Sequence, residues 1–146
     1  MSVGRICVRE VDVVSLDESV RAAASRMHDR KVGTLVVVSS ESVPIGMVTD
    51  RDLVTRVLAH GLNADEIQVA DVMTEVPRTV HEEASIEDAL AIMRAGSFRR
   101  VPVVDSNRHL VGLLSLDDIL SLLAEEFRDI GLLIEGESPS SLSTAK

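Results

Sequence analysis

The sequence predicts an α/β (α+β) fold: two β-α-β-β-α repeats packed in pseudo-twofold fashion, with an extended C-terminal helix. Three observations predict it. The segments GMVTDRDL at 46–53 and GLLSLDDI at 112–119 lie 66 residues apart, and that offset holds without a gap from Val14/Val80 to Leu58/Ala124. Each copy carries apolar residues at i, i+3, i+4 and i+7, the mark of an amphipathic helix. Each also carries a β-branched run followed by a polar turn and a second apolar run, which reads as a hairpin.

Taken in order, Val13-Val14 forms a short extended piece, matched by Thr79-Val80. Val20, Ala23, Ala24 and Met27 then mark a helix, repeated as Ile86, Ala89, Leu90 and Met93. Ser15-x-x-Glu18 and Ser85-x-x-Asp88 read as capping boxes at the two helix starts. Arg26, His28, Arg30 and Lys31 gather near the end of the first helix, where a solvated cationic end complements the helix dipole. LVVVS at 35–39 and VPVVD at 101–105 supply one hairpin strand, and IGMVT and LVGLLS supply the other. A closing helix is expected to turn Leu53, Val54, Val57 and Leu58 inward, with Ile119, Leu120, Leu123 and Ala124 as its second copy.

The repeats are placed at 5–60 and 71–125, with a polar connector at 61–70. One unit of this size has little core of its own, and packing two together remedies that. Residues 126–136 extend the last helix through Phe127, Ile130, Leu133 and Ile134. That stripe predicts either a homodimer contact or a fold-back onto the chain. ESPSSLSTAK at 137–146 reads as a disordered tail.

Composition narrows the function. The net charge of −9 and the near absence of aromatic residues (two Phe, no Trp or Tyr) argue against a nucleic-acid binder. A single cysteine, Cys7, excludes an intramolecular disulfide and reads as a small buried apolar residue. No stretch reaches transmembrane length and no leader is visible, so a cytoplasmic protein without membrane association is expected. The four histidines are scattered without metal-ligand spacing. Neither a nucleophile–base pair nor a phosphate-binding glycine loop is evident, and the chain is read as non-enzymatic.

Thr49-x-x-Asp52 and Ser115-x-x-Asp118 each sit after a strand-ending glycine. They can act as capping boxes, as ligand groups, or as both. A carboxylate can accept hydrogen bonds from both vicinal hydroxyls of a ribose, and a helix start favours phosphate. Gly46 and Gly112, without side chains, allow a ligand or a neighbouring backbone to come close.

The doubled G-h-x-[S/T]-x-x-D, together with RRVPVVD at 99–105 and DVMT at 71–74, resembles a pair of CBS (cystathionine β-synthase) domains, often called a Bateman module. The resemblance covers about residues 5 to 125. It implies a regulatory module that binds adenosine-containing ligands between the repeats: AMP, ADP or ATP first, S-adenosylmethionine or NAD otherwise, with magnesium only as a companion of ATP. Residue by residue, it implies that Asp118 and Asp52 hold ribose hydroxyls and that Ser115 and Thr49 lie near phosphate. It places Arg99 and Arg100 at phosphate, and Val101, Val103, Thr79 or Val80 against adenine.

The first copy departs from this pattern. Gly33-Thr34 replaces the Arg pair and Val36 replaces Pro102, leaving Arg51, Arg30 or Lys31 to meet phosphate there. The Asp118 half-site is therefore expected to be the stronger. Two other functions fit the same residues: a structural or interaction module with vestigial sites, and a regulatory subunit acting in trans on a transporter or enzyme.

Overall fold

Each hairpin is preceded by a parallel strand and a helix, giving the predicted order twice in a computed structural model that describes residues 1–75, 78–96 and 98–136. The first copy comprises β1 (Val13–Ser15), α2 (Val20–Arg30), β2 (Thr34–Val38), β3 (Pro44–Thr49) and α3 (Asp50–Arg56). The second comprises β5 (Val80–His81), α5 (Ile86–Gly96), β6 (Arg100–Val104), β7 (Leu110–Ser115) and α6 (Leu116–Gly136). Four short elements were not foreseen: α1 (Val3–Ile6), a 3-10 turn (Leu58–His60) where the closing helix was expected to continue, α4 (Val69–Val72) and β4 (Thr74–Glu75). The tail at 137–146 lies outside the described residues.

The registers repeat across the duplication. Val14 pairs with Val37 and Leu35 with Val48, as Val80 pairs with Val103 and Val101 with Leu114. Both hairpins carry an irregularity at the same place, Val37/Val38 and Val103/Val104. Both turn through a left-handed residue, Ser42 at φ 63° and Arg108 at φ 68°.

The short elements exchange between the copies. Val3 and Cys7 are buried in the second copy's core with Val101, Val103 and Leu114. Val69 and Val72 are buried in the first copy's core with Leu35, Val37 and Val48. The contacts are related by the same 66-residue offset. Val3 N–H donates to Ala84 O at 2.8 Å and Gly4 N–H to Glu82 O at 2.8 Å; Val69 N–H donates to Glu18 O at 2.9 Å and Ala70 N–H to Leu16 O at 3.0 Å. The isolated bridges Ser2–Ser85 and Ser19–Gln68 are likewise mates. Each valine removed from water this way contributes on the order of 1.5–3 kcal/mol, so neither core is complete without the other copy's arm.

The glycines of the paired motifs seat these arms. A Cβ on Gly46 would stand 2.6 Å from the Met73 sulfur and 3.0 Å from the Thr74 carbonyl oxygen. On Gly112 it would stand 2.6 Å from the Cys7 sulfur and 3.0 Å from the Val8 carbonyl oxygen. The close approach anticipated at these glycines is thus by neighbouring chain.

Several local expectations need correction. The first long helix is capped by Ser19, whose hydroxyl accepts the Ala22 N–H at 3.1 Å. Ser15 and Glu18 instead form a turn ahead of it, with the Ser15 N–H donating to the Glu18 carboxylate at 2.8 Å. The cationic helix end is not simply solvated, because its arginines reach back over β1. Arg26 donates to Val13 O at 2.8 Å and clasps Glu18, and Arg30 donates to Asp12 at 2.7 Å. Hydrogen bonding to Arg26 holds the Glu18 carboxyl below its ordinary range.

Of the closing-helix stripe, Leu53, Val57 and Ile119 are buried, whereas Val54, Leu58, Leu120 and Leu123 are 42–71% exposed. One small sheet covers only half of so wide an apolar face.

Gly112→Ala is expected to lower stability by about 1–3 kcal/mol, because the Cys7 sulfur is packed in the core and the Val8 carbonyl is held by the Leu113 N–H at 2.9 Å. Gly131, in α6 with nothing within 4 Å of a built Cβ, is the contrast. Gly131→Ala should stabilise by up to about 1 kcal/mol. Urea unfolding of the two variants checks both signs.

Candidate ligand site between the repeats

The site residues begin where each hairpin runs into its closing helix. The Thr49 hydroxyl accepts the Asp52 N–H at 3.2 Å, and the Asp52 carboxylate accepts the Thr49 N–H at 2.9 Å. Ser115 and Asp118 repeat the reciprocal pair at 3.1 and 2.9 Å. Both motifs are therefore closed capping boxes, each committing one carboxylate oxygen, Oδ2, to its own helix start.

The remaining oxygens differ. Oδ1 of Asp52 lies 3.8 Å from Arg56 Nε. The second copy has Leu122 in place of Arg56, and no ion pair or hydrogen bond falls on Asp118 Oδ1 among the described residues. Asp118 keeps an acceptor for something else.

Asp118 lines a cleft of about 280 Å³ built from both repeats. Its apolar wall is Val8, Val11, Val32 and Leu113. Its polar groups are Thr34 and Ser115, with Arg100, Glu10, Asp12 and Asp118 supplying charge, and Gly33 lines one edge with the Asp50 carboxylate packed against it. The volume is at the lower end for small-molecule sites.

The 66-residue mate of this cleft is much smaller, about 60 Å³, with Met47, Thr74, Phe98 and Pro102 among its lining. The offset explains the difference. Phe98 stands where the open cleft has Val32, Arg78 stands for Asp12, and Arg100 stands for Thr34. Larger side chains fill the second opening, and Arg100 borders both.

Of the residues singled out from sequence, Asp118, Ser115 and Arg100 come together in the open cleft. Arg99 does not line it and faces Asp117 at 3.8 Å, both side chains largely exposed. Thr49 and Asp52 are absent from the described lining of either cleft, as is Arg51, whose N–H donates to Asp50 at 2.8 Å. Val80, Val101 and Val103 are sealed in the second core, and Thr79 is half-buried beside it.

Sequence reasoning missed the wall given by residues 8–12 and 32–34. Its signal was present for the arm: the repeat continues backwards through Val3/Val69, Ile6/Val72 and Cys7/Met73. Burial pushes the Cys7 thiol up, which fits a packing role. No group of three or more His, Cys, Asp or Glu side chains is arranged to hold a metal ion among the described residues. No helix among them is long and apolar enough to cross a membrane.

The comparisons with known proteins agree with this architecture. A relative from Methanopyrus kandleri, the uncharacterized protein MK0525, is 35% identical over 122 residues. The match covers 84% of this chain and 62% of MK0525, so the chain spans about three-fifths of that relative's length. Among solved structures, Hypoxic Response Protein I with two coordinated zinc ions superposes with a TM-score of 0.74 at 30% identity, covering 83% of this chain and 98% of that one. CBSX2 in complex with AMP superposes with a TM-score of 0.70 at 27% identity, covering 85% and 96%. The CBS domain model matches twice, at residues 3–59 and 69–125. With its two matched copies, its exchanged arms and its shared cleft, the chain belongs to the CBS domain family.

Proposed function

We propose that the protein is a regulatory module that binds an adenosine-containing ligand in the cleft between its repeats. The observation that carries this reading is Asp118, with one carboxylate oxygen outside its capping box, in the lining of a 280 Å³ cleft walled by both copies. That oxygen accepts ribose hydroxyls, and the apolar wall of Val8, Val11, Val32 and Leu113 takes the adenine face. Arg100 meets a phosphate or carboxylate on the ligand. AMP, ADP, ATP, NAD and S-adenosylmethionine all offer the adenosine group, and magnesium enters only with ATP. The AMP complex of CBSX2 supports the ligand class.

A ligand touching both copies biases their relative arrangement by its differential affinity for the two forms. Regulation then passes to a partner, in the same chain or in trans, such as a transporter or enzyme. No residue of the cleft forms a nucleophile–base pair, which favours a regulatory over a catalytic role.

The exposed apolar stripe supports a homodimer. Leu120, Leu123, Phe127, Ile130 and Ile134 recur at alternating three- and four-residue steps along α6 and stay 42–71% exposed. Val54 on α3 and Leu58 in the 3-10 turn that follows it are exposed likewise.

A thermal-shift panel of the five ligands tests the binding reading. A ligand at 100 times its Kd adds about 2.7 kcal/mol to stability. No shift with any of them would leave the vestigial, purely structural reading in its place. Asp118→Ala should weaken binding roughly 10- to 100-fold, as expected for loss of a charge-assisted hydrogen bond, and Asp52→Ala much less. Calorimetry giving the reverse order would contradict the assignment. Light scattering at micromolar concentration should report a dimer that Phe127→Glu shifts toward monomer; a monomeric unmodified chain would refute the stripe's role.

A further inference from the structure

We infer that the open cleft selects adenosine ligands whose 5′ substituent is neutral or cationic, and that Glu10 and Asp12 enforce the choice against polyphosphates. The inference rests on the binding reading above and deepens it by naming the ligand's charge.

Three carboxylates line the cleft, Glu10, Asp12 and Asp118, against one guanidinium, Arg100. Asp12 is compensated from behind by Arg30, whose Nε donates to it at 2.7 Å. Glu10 forms no salt bridge within 4 Å among the described residues, feels Arg30 only at longer range, and is exposed at the cleft mouth. The second arginine of the RR pair does not redress the balance, because Arg99 turns onto Asp117.

The helix start adds little attraction for phosphate. The Leu116 N–H already donates to Arg99 O at 2.8 Å, and the Asp118 N–H is taken by the Ser115 hydroxyl at 3.1 Å. Asp117 and Asp118 both stand in that first turn, where they offset the positive end of the dipole. Each phosphate added to the ligand therefore brings negative charge to a site whose only lining cation among the described residues is Arg100. A nucleoside, a thioether nucleoside or a sulfonium nucleoside adds none.

The opposite cleft shows what a cationic version looks like. There Arg78 replaces Asp12, but Phe98 stands in place of Val32 and the opening is only about 60 Å³. Charge suited to phosphate and room for a ligand are thus separated between the two clefts.

Calorimetric titration of the full chain with adenosine, S-adenosylmethionine, AMP and magnesium-free ATP, at about 50 and 300 mM salt, tests this. Adenosine and S-adenosylmethionine should bind at least tenfold tighter than ATP, with AMP between. Higher salt should narrow the gap by screening the repulsion. Glu10→Gln should shrink the adenosine-to-ATP affinity ratio at least threefold, and Glu10→Lys further. ATP binding as tightly as adenosine, or a ratio unmoved by salt and by both Glu10 variants, overturns the selectivity while leaving the binding reading intact. Failure of all four ligands to bind overturns both.

Discussion

The exchange of the two short arms is the constraint on which the rest depends. Val3 and Cys7 complete the second core, and Val69 and Val72 complete the first, through hydrogen bonds that repeat at the same offset. Because each core borrows from the other copy, the repeats cannot drift apart without exposing buried valines. Gly46 and Gly112 are part of that constraint, since each lies under the arm it admits. Where the arm and its flanking chain cross from one copy to the other, residues 8–12 pass along the end of β7 and become one wall of the cleft. The site follows from the interlock.

Duplication does not make the two halves equal. The same backbone plan yields one opening with Val32, Asp12 and Thr34, and another narrowed by Phe98, Arg78 and Arg100. The carboxylates diverge as well, Asp52 facing Arg56 while Asp118 keeps an oxygen unengaged. Arg100 borders both clefts, so a ligand drawing it into one alters the lining of the other. A chain built this way has one wider cleft and one narrower cleft, joined by a single shared side chain.

Much of this was legible in the sequence because it rests on periodicity. The two helices, the hairpins and the paired motifs follow from apolar spacing and from the 66-residue echo. The arms were not legible as elements: four residues make one helical turn, too short to show a period. Nor does an apolar stripe say how much of it a sheet will cover, which is why Val54, Leu58 and Leu120 look like core and lie exposed. Of the cleft lining, Asp118, Ser115 and Arg100 were readable from motif position. Glu10, Asp12 and Val32 were not, because they converge only once the copies pack. Val101 and Val103 stand on the right strand, but the pleat turns them toward the core side of the sheet.

The proposed ligand site is the one cleft walled by both copies and lined by Asp118. The most direct measurement is an amide NMR titration of the full chain with adenosine. The account predicts saturable shifts at Val32–Thr34 of the first copy together with Arg100 and Ser115–Asp118 of the second. Shifts confined to a single copy, or centred on Thr49 and Asp52, would contradict it.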